Sequence, residues 1–445
     1  MNKNLILRLP PKTTIAVYMQ ILLVMLMLWL RDFLSFPSAI TYLTDIIMVF
    51  LVFRYYGHIK KSVSLAKANN QLYIIFFIIL CMAFGATINL VNPLHVLWGA
   101  RNNLRFFAFF LGCIGVLRIK DIDSIIRIIK IFFWLNVIMC TYQYFSLGLS
   151  NDYLGGFFGS SSGCNAYINI LLCMVISIIT AQYFAKKERM YKVGIYALAC
   201  IYIATLAEIK VFYIELLIIF FTAIITVRRP TLKVIIICAI SIIALYVALL
   251  LLNRYNPRSV ELLFDESARD YYLRGNGYSN SGDLNRFTAI QQLYEKFFKG
   301  DALTSLFGFG LGSCDYAKYD FLQSSFYKQY NYLHYRWFSH AWVYLEQGAI
   351  GLILMVLFFI SLGIYTIKHR NTDRKDLINA ALYFIPTCLL GMIYNCALEI
   401  EACYLIAFMC AIPFVIKKCN KGSTLNDNYR ENKASCKETI IWSQS

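Results

Sequence analysis

DLNRFTAIQQLYEKFF (283–298), LFGFGLGS (306–313) and SHAWVYLEQGAIG (339–351) mark the one long polar stretch of this chain, which runs from Asn253 to His340. On either side lie apolar runs separated by short connectors. A run of about 17 or more apolar residues is what a helix needs to cross a bilayer. The chain therefore reads as an all-α polytopic membrane protein whose helices present one large loop.

Composition agrees. Of 445 residues, 59% are hydrophobic, 15% are charged and only 8 are proline. A soluble protein of this length needs more charge to cover its surface. The net charge of +17 does not indicate a nucleic-acid partner, because the basic residues are dispersed among apolar spans.

About twelve spans are expected, near 13–30, 36–53, 71–90, 103–117, 129–147, 166–184, 193–207, 211–227, 234–252, 346–367, 378–396 and 402–416. The runs at 193–207 and 402–416 are short, about 22 Å at 1.5 Å per residue. Of the 42 Lys and Arg, 28 fall in the two termini and in alternate connectors: Arg54 to Lys67, Arg118 to Lys130, Lys186 to Lys192, Arg228 to Lys233 and Lys368 to Lys375. This positive-inside pattern puts those connectors and both termini in the cytoplasm. The first run, Thr13 to Leu30, has no small-x-small cleavage site after it and reads as a retained helix rather than a signal peptide.

The chain then divides into helices 1–9 (1–252), the large outer loop (253–345), helices 10–12 (346–416) and a disordered cytoplasmic tail (417–445). The apolar positions Phe287, Ile290, Leu293, Tyr294 and Phe297 predict short helices inside the loop. Of the 14 cysteines, most sit in apolar spans, and only Cys164 and Cys314 fall in outer connectors. They read as small packing residues, with a disulfide between those two as the alternative.

Nucleotide chemistry is not signalled. There is no GxxxxGKS or GxxxxGKT. Asp121-Ile122-Asp123 resembles a sugar-nucleotide metal site, but one such triplet reads as a solvated connector. No metal and no cofactor is expected. Gly308, Gly310 and Gly312 read as a tight turn or a close backbone approach. The informative residues are four cations on the outer side, Lys210, Arg101, Arg105 and Arg286. A cation at the rim of a bundle needs a wet cavity or a partner, and Arg forks match phosphate oxygens. The alternative pairs Lys210 with Glu208, Arg286 with Asp283, and Arg101 and Arg105 with lipid headgroups. His340, at the mouth of a span, could take a proton from a hydroxyl or be an ordinary interfacial residue.

Four segments together resemble the O-antigen polymerase and O-antigen ligase superfamily, that is, Wzy-type polymerases and their ligase relatives. They are GGFFGSSSGCNAYINILL (155–172), LAEIKVFYIELLIIFF (206–221), NRFTAIQQLYEKFF with LFGFGLGS, and SHAWVYLEQGAIGLIL (339–354). Ala341 stands where family members often have Asn, and Lys210 where many have Arg. The resemblance implies a GT-C-like glycosyltransferase architecture in the bacterial cytoplasmic membrane. It implies an undecaprenyl-pyrophosphate-linked oligosaccharide as substrate, with a chain-length regulator and a flippase as partners. Arg286 and Lys210, helped by Arg101 and Arg105, would hold the pyrophosphate, and His340 would be the base. Polymerisation of repeat units is the leading expectation. A ligase acting on lipid A core, a transporter or flippase, and a non-catalytic assembly protein are the alternatives.

Overall fold

A computed structural model describes residues 12–226, 265–275, 277 and 282–421, with isolated positions at 246, 250, 253 and 254. Eight helices are α1 (Lys12–Phe33), α2 (Tyr42–Ala66), α3 (Asn69–Ile88), α4 (Pro93–Val116), α5 (Ile119–Leu147), α6 (Asn165–Phe184), α7 (Met190–Leu206) and α8 (Lys210–Thr226). Short helices α9 (Glu266–Arg274), α10 (Ala289–Leu293), α11 (Ala302–Phe307) and α12 (Ser325–Tyr330) follow. Then come α13 (Ser339–Lys368) and α14 (Lys375–Tyr394), and α15 (Cys403–Lys421). Among the described residues there is no β-strand.

Among the described residues, eight helices are long and apolar enough to cross a membrane: α1, α2 with the 3-10 turn before it, α3, α5, α6, α13, α14 and α15. The chain is a polytopic helical membrane protein. The expected spans near 103–117, 193–207 and 211–227 fall on α4, α7 and α8. Of these, α4 carries Arg101, Asn102, Asn103 and Arg105, and α7 and α8 have 17 residues each. The expected span near 234–252 lies, but for positions 246 and 250, outside the described residues. Helix α15 runs on to Lys421, into the stretch read as the tail, whose remainder also lies outside them.

α6 is apolar on every side and buried almost throughout, as expected of a helix at the centre of a bundle. It packs against α14 and α8. Alternate connectors gather at one end. Lys187 pairs with Asp376 at 2.8 Å and Arg374 with Asp123 at 2.5 Å, while Lys418 donates to the carbonyls of Ile114 and Leu117, each at 2.7 Å. Asp121-Ile122-Asp123 thus belongs to an ion-paired joint between connectors.

The other end carries a cap, residues 282–338, with its own small core of Leu284, Leu293, Phe298, Leu333, Tyr335 and Phe338. Short helices do form there. Of the expected apolar positions, Leu293 is buried and Ile290 and Phe297 pack against this core, while Phe287 and Tyr294 are exposed; at the end of the stretch Phe298 rather than Phe297 is fully buried. The reason is a π turn at Tyr294–Phe298, whose wider repeat advances the buried face by one residue.

The cap docks through a break in α13. Gly348 has φ 64° and ψ −165°, which removes the helical donors for the carbonyls before it. The LFGFGLGS turn replaces them: Phe309 N donates to Leu345 O at 2.8 Å and Gly310 N to Glu346 O at 3.1 Å. Cys81 Sγ lies 3.4 Å from Gln347 O. The turn needs glycine on both expected grounds. Gly308, Gly310 and Gly312 have φ of 72°, 91° and 78°, and a Cβ on Gly310 would sit 2.7 Å from Ala86 Cα. The break also corrects a boundary, since the helix expected to begin at 346 begins at Ser339.

Gly310→Ala and Gly348→Ala should each destabilise the protein by about 1–3 kcal/mol, read as a lower thermal midpoint in mild detergent. Gly57→Ala, in α2 with nothing within 4 Å of its Cβ position, should be neutral or slightly stabilising. Equal midpoints for all three would show that the turn is not what seats the cap.

Candidate functional site

Between the cap and the bundle lies a cavity of about 550 Å³. Arg31, Arg101, Arg105, Arg286, Lys318 and Arg336 line it. Four carboxylates share its wall: Asp152, Glu208, Glu399 and Glu401.

Arg101 and Arg105 project from the middle of α4, which Pro93 and the Asn92 cap open. The spacing of four places both on one helix face. Arg101 Nε is 2.6 Å from Asp45 Oδ2 and its guanidinium lies over Tyr42 and Trp98, 5.1 and 4.8 Å from the ring centres. Arg105 is 2% exposed and lies 3.0 Å from Glu401 Oε1. It also donates to the Glu399 carbonyl. Both arginines are thus held by carboxylates rather than by lipid headgroups. Glu401 Oε2 accepts Tyr167 Oη at 2.8 Å. Burial pushes the Glu401 carboxyl up, but Arg105, Tyr167 and Arg101 outweigh it and hold it below the usual carboxylate range.

Arg286 sits where the chain turns into the first short helix of the cap core. Its guanidinium lies over Phe338 and Tyr394, 5.2 and 4.4 Å from the ring centres, and Nε donates to Tyr394 O at 3.1 Å. Arg336 faces buried Asp315 at 3.3 Å and lies over Trp342 at 4.2 Å. Asn102 of α4 donates to the same Asp315, which ties the cap to the bundle. Burial raises the Asp315 carboxyl above the usual range despite Arg336.

His340 is 7% exposed and does not line the cavity. Its Nδ1 lies 3.1 Å from Met392 O and its Nε2 2.9 Å from Arg286 O. Lys210 opens α8 and is not a lining residue, though Glu208 and Ile209 just before it are. The structure therefore brings Arg101, Arg105 and Arg286 to one cavity, with His340 behind Arg286 and Lys210 beside the wall. Cys164 and Cys314 are both buried free thiols. Among the described residues no three His, Cys, Asp or Glu side chains converge where a metal ion could sit.

No family model and no curated protein matches this chain. Its chemistry is read from the cavity itself.

Glu399 and Glu401 were not singled out from sequence. The signal was present in ALEIEAC (397–403), two carboxylates in an otherwise apolar connector. Glu399 is 3% exposed, and its Oε2 accepts the Ser339 hydroxyl. Burial pushes its carboxyl up to about 7, against the pull of Ser339 and Arg105.

Arg105→Ala should cost about 3–5 kcal/mol, because it strands the buried Glu401 charge. The double change Arg105→Met with Glu401→Gln should recover a large part of that loss. Thermal unfolding of the two variants in detergent checks this; equal losses would mean that the pair is not coupled.

Proposed function

We propose that this protein is a membrane glycosyltransferase that polymerises polyprenyl-pyrophosphate-linked oligosaccharide repeat units into a surface polysaccharide on the outer leaflet of the bacterial cytoplasmic membrane. The observation that carries this reading is the gathering of Arg101, Arg105 and Arg286 with Arg31, Lys318 and Arg336 around one cavity beneath the cap. Such a cluster suits a diphosphate, whose developing negative charge these groups would stabilise as the glycosidic bond to it breaks. A cavity of this size can enclose the diphosphate and the sugar beside it, while the lipid and the rest of the glycan extend outward.

The division of labour follows from each cation's setting. Arg101 and Arg105 are already matched by Asp45 and Glu401, so they set the field of the site and hold its walls. Arg286 is positioned by two aromatic faces and a carbonyl, which orients its fork. We therefore assign it the main contact to the leaving diphosphate. Lys210, next to the wall at Glu208, adds positive potential. Attack by an acceptor hydroxyl in a single displacement gives inversion at the anomeric carbon.

The ligase alternative uses the same chemistry with a different acceptor. The transport alternative has one feature in its favour: Glu215, 1% exposed inside the bundle, with Cys173 Sγ 3.2 Å from its carboxylate. Charged groups inside a span often mark an ion path. The cation-lined cavity at the bundle end supports the enzyme over the transporter.

Purified protein in liposomes with lipid-linked repeat units should produce a ladder of chain lengths. Arg286→Ala should reduce the rate roughly 100- to 1,000-fold, and Arg286→Lys should restore little, since a point charge neither forks nor stacks. Transfer only to a lipid core would make the protein a ligase. Movement of lipid-linked sugar with no new glycosidic bond would make it a transporter.

A further inference from the structure

We propose that Glu399 takes the proton from the acceptor hydroxyl, and that His340 acts on the reaction only by positioning Arg286. This rests on the glycosyl-transfer reading above.

Both ring nitrogens of His340 face backbone carbonyl oxygens, Met392 O and Arg286 O. A carbonyl can only accept. A neutral ring satisfies one and turns its lone pair against the other; a doubly protonated ring satisfies both. In neither form is a lone pair offered to the cavity, which His340 does not line. What the ring does hold is the backbone of Arg286, linking it to the end of α14.

The carboxylates on the cavity wall can be told apart. Glu401 has donors on both oxygens, Arg105 on one and Tyr167 on the other, so it is a countercharge. Asp152 is exposed and accepts from Asn165, and half-buried Glu208 takes the Asn151 amide on both of its oxygens. Glu399 is buried at the wall, with Oε2 on the Ser339 hydroxyl. Besides Ser339, only the residue's own backbone N–H bears on the carboxylate, and among the described residues Oε1 accepts from no other side chain, which leaves it for a sugar hydroxyl. The titratable groups around Glu399 are Arg105 of α4, Arg336 of the cap, Cys396 before it in its own connector, Cys403 at the start of α15, and Glu401 two residues on. The two arginines favour its charged form, and burial opposes it, which sets the carboxyl near neutrality.

The acceptor O–H proton moves to Glu399 Oε1 as the acceptor oxygen forms its bond to the anomeric carbon. The bond from that carbon to the diphosphate oxygen breaks, and its electron pair leaves on the diphosphate, facing Arg286. Glu399 returns the proton to water before the next turnover.

A base works when deprotonated, so wild-type kcat/KM should rise with pH through about 7. The test is the pH profile of chain extension in liposomes for wild type, Glu399→Gln, Glu399→Asp and His340→Gln, with donor binding measured in parallel. Glu399→Gln should bind donor, fall at least about 100-fold in rate and lose the acid limb. Glu399→Asp should keep a displaced limb. His340→Gln should be slower yet keep the limb where wild type has it. The proposal is overturned if Glu399→Gln keeps the limb or the wild-type rate, or if His340→Gln abolishes the limb. Should Glu399→Gln fail to fold, the His340→Gln profile alone decides between the two groups. No transfer by wild type with any lipid-linked donor overturns the glycosyl-transfer reading, and this proposal with it.

Discussion

Gly348 leaves the carbonyls of Leu345 and Glu346 without helical donors inside a membrane-spanning bundle, and that debt determines where the cap must sit. An unsatisfied carbonyl in hydrocarbon costs several kcal/mol. The backbone N–H groups of Phe309 and Gly310 meet the need, and only glycines let the turn come close enough. Once the turn is fixed, Asp315 reaches Asn102 and Arg336. Glu346 accepts from Cys314 N and from Asn103 of α4. The cap core then closes over Phe298 and Phe338, and Arg286 is delivered to the cavity against Phe338.

The cations of the cavity fall into two kinds as a result. Arg101, Arg105 and Arg336 face carboxylates from other elements, Asp45, Glu401 and Asp315. The first two pairs join α4 to α2 and to the connector before α15, and the third lies within the cap, which Asn102 of α4 ties to the bundle through the same Asp315. Buried ion pairs add little net stability but are costly to break, so they fix relative placement more than they strengthen the fold. Arg286 and Lys318 make carbonyl, ring and hydroxyl contacts. A site built this way presents an anion with a preset field without requiring every guanidinium to exchange its partner.

Much of this was legible in the chain itself. Apolar runs located the helices, because crossing a bilayer demands length and hydropathy that few sequences mimic. Arg101, Arg105 and Arg286 were legible as a group because the first two stood at the outer end of an expected span and the third in an outer loop of the same parity. Their carboxylate partners were not, since pairing Asp45 with Arg101 or Glu401 with Arg105 depends on which connectors meet in space. The π turn at Tyr294–Phe298 was hidden for a similar reason. Phe297 and Phe298 are equally apolar, and tertiary packing chose between them. The break in α13 was obscured by its flanks, which are good membrane helix on both sides.

The most direct measurement of the central claim is photoaffinity labelling in nanodiscs, with a diazirine placed beside the diphosphate of a polyprenyl pyrophosphate and the adducts mapped by mass spectrometry. The account predicts labels on 98–105, 286 and 394–401, lost on competition with unlabelled diphosphate lipid but not with the corresponding polyprenol. Labels elsewhere in the bundle, or equal competition by the alcohol, would contradict it.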